Sequence, residues 1–151
     1  MLELFFFILG LLNSILLIII FIIRKIRLDI LKRFGWIYLL LGIPAAYGVF
    51  LVFQEHKTIQ YTIFLGIFLG FIAIEGIYDF ILKAPFREKN DWKLLVPYLA
   101  LYFASSYGFV VMTWKISLTG GLILTGLFVI QIIANILTHP VKNKNKSSKT
   151  I

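Results

Sequence analysis

Residues 59–82 read IQYTIFLGIFLGFIAIEGIYDFIL, and the first charge in that stretch is Glu75. A run of about 20 predominantly apolar residues is what an α-helix needs to cross a bilayer. The run is continuous rather than alternating, which argues against a strand of a membrane barrel. Working outward, four more runs of this kind appear, each ended by charge or turn residues. They cover about Leu2–Ile23 (before Arg24 and Lys25), Trp36–Phe53 (before QEHK), Leu94–Trp114 (before Lys115) and Leu118–Leu137 (before His139-Pro140). The central run itself ends in KAPFREKNDWK. The spacing predicts an all-α, multi-pass membrane protein: a bundle of five transmembrane helices over residues 1–138, followed by a basic disordered tail over residues 139–151.

Composition agrees. The 151 residues are 60% hydrophobic and 17% aromatic, and mean hydropathy is +0.95. A soluble domain is about half apolar, and little sequence is left over to build one. The first run is not expected to be a cleaved signal peptide: MLELFFF has an acid and no basic leader, and the run ends in RKIRLDILKR without a small-residue cleavage site.

The formal net charge is +8. The basic residues lie between spans, so anionic lipid and topology explain them better than nucleic acid, for which no partner role is expected. Arg24, Lys25, Arg27, Lys32 and Arg33 follow the first span. Lys83, Arg87, Lys89 and Lys93 follow the third, and Lys142, Lys144, Lys146 and Lys149 follow the fifth. With five spans these regions share one side, leaving only Lys57 and Lys115 of the 15 basic residues opposite. The positive-inside rule then predicts an antiparallel bundle in the cell membrane, N-terminus outside and C-terminus cytoplasmic. Trp36, Trp92 and Trp114 fall at predicted span ends, where an aromatic belt places them.

Cysteine is absent, which removes disulfides, thiolate metal sites and thiol nucleophiles. His56 and His139 fall on opposite predicted sides and cannot share a metal. No zinc or haem spacing, P-loop, GxGxxG or Ser/His/Asp set is present, so no metal and no cofactor is expected.

What remains is polar chemistry inside the spans. Glu75 and Asp79 are four apart and share a helix face. An acid at mid-bilayer costs about 2.5–3.5 kcal/mol or more, so that face wants protein neighbours. Roughly opposite lie Gly66 and Gly70, a GxxxG pair that favours close helix approach, within the chain or through a homo-oligomer or partner subunit. With both faces calling for contacts, the third span is expected at the centre of the bundle. On the fourth span Tyr98, Tyr102, Ser105 and Phe109 form one stripe. On the fifth, Gln131, Asn135 and Thr138 share a face. Tyr98, Tyr102, Gln131 and Asn135 match Glu75 and Asp79 in depth, in the cytoplasmic half. Asn13 and Ser14 are expected to hydrogen-bond between helices, and Pro44 to kink the second span.

Two carboxylates one turn apart repel, and low dielectric makes ionising both expensive. Tyrosine hydroxyls can donate to a carboxylate, and amides both donate and accept. The expected proton- or ligand-binding set is therefore Glu75, Asp79, Tyr78, Tyr98, Tyr102, Gln131 and Asn135, around a cavity open to the cytoplasm. It suits an amphipathic small molecule or membrane lipid, or a proton or cation. Plainer roles exist: Asp79 can pair with Lys83, and Glu75 can bond Tyr102 or Gln131 as interhelical glue. A non-catalytic subunit or assembly factor of a larger complex is the alternative, and a cofactor-independent lipid-modifying enzyme with unassigned catalytic residues is the second.

Overall fold

The computed structural model describes residues 1–78 and 92–138, the side chain of Leu28 excepted. Asp79, the 79–91 connection and the tail from His139 lie outside them. Helix α1 spans Leu2–Ile26, α2 Leu28–Phe34, α3 Gly42–Gln54, α4 Ile59–Gly76, α5 Trp92–Trp114 and α6 Leu118–Thr138. A 3₁₀ segment, Gly35–Leu41, joins α2 to α3. Among the described residues five stretches are helical, long and apolar enough to cross a membrane, the second running Asp29–Gln54. They agree in number with the predicted runs, and the last four residues of the third run, 79–82, lie outside the described residues. The first extends by three residues, the second begins earlier, and the fourth starts at Trp92 rather than Leu94.

The starts and stops have local causes. α1 carries Arg24 and Lys25 in its last turn, where cations complement the helix C-terminus. It stops at Arg27, whose backbone is extended at φ −147°, ψ 87°. The turn between α3 and α4 places His56 at φ 48°, in the left-handed region that histidine tolerates better than branched residues do. The fourth run, taken from Leu94, would put Pro97 in the first turn of its helix. Because α5 starts at Trp92, it sits inside the helix instead.

The second span differs most from expectation. Pro44 has no N–H to give the carbonyl of Leu40, and its ring crowds that carbonyl. Upstream of it the chain is wound as seven residues of 3₁₀ helix, and the Gly42 N–H reaches back to Leu39 and Leu40. Runs beyond 3–4 residues are uncommon for this geometry. The expected kink is thus a change of helix type. Its three-residue turn puts Tyr38 and Leu41, both buried, on one side.

α1 and α5 are the central helices. Among the described residues the α1 backbone approaches the second span, α5 and α6, whereas the α4 backbone approaches the second span and α5 and meets α1 only through side chains, Tyr61 against Phe6 at 5.3 Å. The third span, expected at the centre, has fewer close backbone neighbours than α1 or α5 among the described residues. α1 presents Leu2, Phe6, Leu9, Asn13, Leu17 and Phe21 inward at three- and four-residue intervals. Phe6 meets Phe109 with ring centroids 4.9 Å apart, and Phe109 meets Phe68 at 5.0 Å.

The glycine face of α4 corrects a second expectation. A Cβ added at Gly66 or Gly70 would meet no atom within 4 Å. Gly66, Ala73 and Ile77 are exposed and Gly70 is half-buried. Among the described residues the pair does not mediate packing within the chain. Close approach occurs on α5 instead, where a Cβ on Gly108 would lie 2.7 Å from Cγ of Phe64.

Polar contacts fasten the two ends. Lys25 Nζ donates to the carbonyl of Leu137 at 3.2 Å, joining the ends of α1 and α6. At the other end Lys57 pairs with Glu3 at 3.0 Å, and Lys115 Nζ donates to Gln60 Oε1 at 2.6 Å.

Candidate functional site

Glu75 lies in the last turn of α4 and is buried, with 6% of its surface exposed. It shares a face with Phe71, one turn earlier. The Phe71 ring is surrounded by tyrosines: Tyr98 at 5.5 Å, Tyr102 at 6.0 Å and Tyr38 at 6.2 Å between centroids. Tyr38 lies within electrostatic reach of Glu75, Tyr98 and Tyr102. Phe71 is thus an apolar hub shared by three tyrosine rings, one helical turn from Glu75.

Two buried hydrogen bonds organise the phenols. Tyr38 donates its hydroxyl to Asn13 Oδ1 at 2.7 Å, tying the 3₁₀ segment to α1. Tyr102 donates to Gln131 Oε1 at 3.1 Å, tying α5 to α6. Each of these phenol protons is therefore committed to an amide oxygen. The expected bond from Glu75 to Tyr102 or Gln131 gives way to a bond between those two residues. Each amide has its other end buried too: Asn13 Nδ2 and Gln131 Nε2 have no hydrogen-bond partner among the described residues. Leaving such a donor unpaired costs about 1–3 kcal/mol.

The structure brings Glu75, Tyr98, Tyr102 and Gln131 into one neighbourhood, as the sequence leads one to expect. Tyr78 is buried, just past the end of α4. Asn135 is half-buried one turn beyond Gln131, and its carbonyl accepts the Thr138 hydroxyl. Ser105 turns its hydroxyl back to the Tyr102 carbonyl at 3.0 Å, so it serves its own helix rather than the cluster. Asp79 lies outside the described residues.

Two members were missed. Asn13 was read as an interhelical bond without a place in the site, and Tyr38 was not singled out. The usable signal for Tyr38 was its position six residues before Pro44, on the basic side of the second span. With both included, all five spans contribute: Asn13, Tyr38, Glu75, Tyr98 with Tyr102, and Gln131.

A pocket of about 450 Å³ lies at the other end of the bundle, lined among others by Glu3, Phe7, Thr113, Ser117 and Gly120. It is separate from the Glu75 cluster, since Thr113 is 15 residues, or about 22 Å of helix, along α5 from Tyr98. Among the described residues no group of three or more His, Cys, Asp or Glu is placed to hold a metal. Comparison of the chain with protein-family models, curated proteins and solved structures finds no match in any of the three.

Proposed function

We propose that the chain is a small multi-pass protein of the cell membrane that binds the polar end of an amphipathic molecule in the Glu75 cluster. The helices run antiparallel, with the N-terminus outside and the cluster in the cytoplasmic half. The distribution of basic residues supports that orientation. One observation carries the reading: Tyr38, Tyr98 and Tyr102 surround Phe71, two of them bond buried amides on α1 and α6, and buried Glu75 follows Phe71 by one turn, so that all five spans contribute polar groups. Polar contacts between spans average only about 0.6 kcal/mol as glue. Two half-satisfied amides at one place cost more than glue returns, so ligand recognition accounts for the cluster better. The same carboxyl could instead take up a proton or cation in transit.

Replacing Glu75 with Gln keeps the shape and removes the ionisable group. The wild-type chain, purified in mild detergent, is expected to carry an amphiphile detectable by native mass spectrometry, and Glu75→Gln to carry much less. Vesicles containing the wild type are expected to exchange protons or cations faster than those containing the variant if transport is the use. Equal co-purification together with equal flux would remove Glu75 from any function.

A second reading, a subunit or assembly factor of a larger membrane complex, is favoured by the outward glycine face of α4. Gly66 and Gly70 offer a partner helix a smooth surface at close range. Stoichiometric co-purification of another chain, lost in Gly66→Leu, would support it. A lone chain in mild detergent would count against it.

A further inference from the structure

We infer that the polar group received by the Glu75 cluster is a neutral hydrogen-bond acceptor, a carbonyl of the ketone or ester class, and not a carboxylate, phosphate or ammonium. The inference rests on the binding reading above and narrows it. Asn13 and Gln131 each expose the same half of the amide. Their oxygens already accept phenol protons, from Tyr38 at 2.7 Å and Tyr102 at 3.1 Å. Their nitrogens, at positions 1% and 0% exposed, have nothing to donate to among the described residues. The unsatisfied groups are therefore N–H donors, and they call for an acceptor.

Charge then decides between kinds of acceptor. A carboxylate or phosphate would have to shed its hydration shell in a site walled by aromatic rings, and two neutral amide N–H donors do not replace that shell. An ammonium or metal cation would suit Glu75. It would also need oxygens turned toward it, and here the amide oxygens are occupied while amide hydrogens are left over. A carbonyl escapes both objections. It accepts from Asn13 Nδ2 or Gln131 Nε2, carries no charge to desolvate, and its flanking carbons pack on Phe71 and the tyrosine rings. Such an acceptor on a long apolar tail can enter from the bilayer.

The test uses the full chain in detergent and four probes of equal chain length: a methyl ketone, a fatty-acid anion, an alkylammonium and an alkane. Thermal unfolding reports binding. The ketone is expected to raise the melting temperature most, and the alkane least. Asn13→Leu and Gln131→Leu each remove one donor, and each is expected to weaken the ketone about tenfold, the equivalent of one hydrogen bond. Because either variant could disturb folding, Gln131→Glu serves as a shape-conserving control. It exchanges the donor for an acceptor, and is expected to weaken the ketone and strengthen the alkylammonium. A ketone no better than the alkane, or unaffected by all three variants, overturns the inference. If the anion or the ammonium binds best and Glu75→Gln abolishes that binding, the site stands and the carbonyl assignment falls. If no probe binds and Glu75→Gln changes nothing, both fall.

Discussion

Tyr38 and Asn13 form a pair whose removal, one side at a time, should give unequal results. In Tyr38→Phe the 2.7 Å bond is lost and Asn13 keeps a buried oxygen with nothing to accept, beside a nitrogen already unpaired. That variant should lose about 1–3 kcal/mol. Asn13→Leu loses the same bond and strands the Tyr38 hydroxyl, at a similar cost. It also removes the unpaired nitrogen, which returns about 1–3 kcal/mol, so the net change should lie near zero. The double variant leaves no stranded group and fills the space with apolar atoms. It should be about as stable as the wild type or slightly more so. The coupling between the two positions is then roughly 2 kcal/mol, with Tyr38→Phe the least stable of the four proteins. Equilibrium unfolding in mixed micelles, read by tyrosine and tryptophan fluorescence, measures all four corners. Additive effects, or a Tyr38→Phe variant indistinguishable from wild type, would refute the claim that this bond is buried and directional.

Two further outcomes are expected. Gly108→Ala should lower thermal stability by about 1 kcal/mol, since crowding Phe64 costs about 1–3 and the better helix former returns at most about 1; Gly66→Ala and Gly70→Ala, with open space around them, should not lower it, and an equal loss at Gly66 would mean that face is packed. The Glu3 hydrogen bond, and then the Glu3 charge, hold the Lys57 ammonium above its ordinary range, so its contribution is complete below the unfolded-state value and fades as pH rises through the higher folded-state value; the melting-temperature gap between wild type and Lys57→Met should close only in strongly alkaline buffer, and a gap unchanged there would show that the pair contributes nothing.

The five spans were legible because the energetics of lipid burial write them as long uninterrupted runs, and little but charge ends them. Glu75 was legible as a candidate for the opposite reason, since an acid there is expensive enough to need an explanation. Helix-to-helix relations were not. Gly66 and Gly70 carry a pattern that says a helix can come close, and pattern alone does not say that the helix belongs to the same chain. Gln131 and Tyr102 were both placed at one level of the bundle, yet their mutual bond depends on how α5 and α6 are rotated. Tyr38 stayed hidden because a wheel drawn at about 100° per residue misplaces side chains in a segment that turns by about 120°.

That segment has a mechanical consequence. Seven residues of 3₁₀ helix extend about 14 Å, where the same residues as α-helix would extend about 10.5 Å. The second span thus holds about 3.5 Å of reach that its residue count does not dictate. Bilayers differ in thickness by a few ångströms, and mismatch is paid in fractions of a kcal/mol per ångström. Recoiling toward α in a thin membrane would draw Tyr38 along the axis and around it, so the host lipid could tune how firmly Asn13 is gripped.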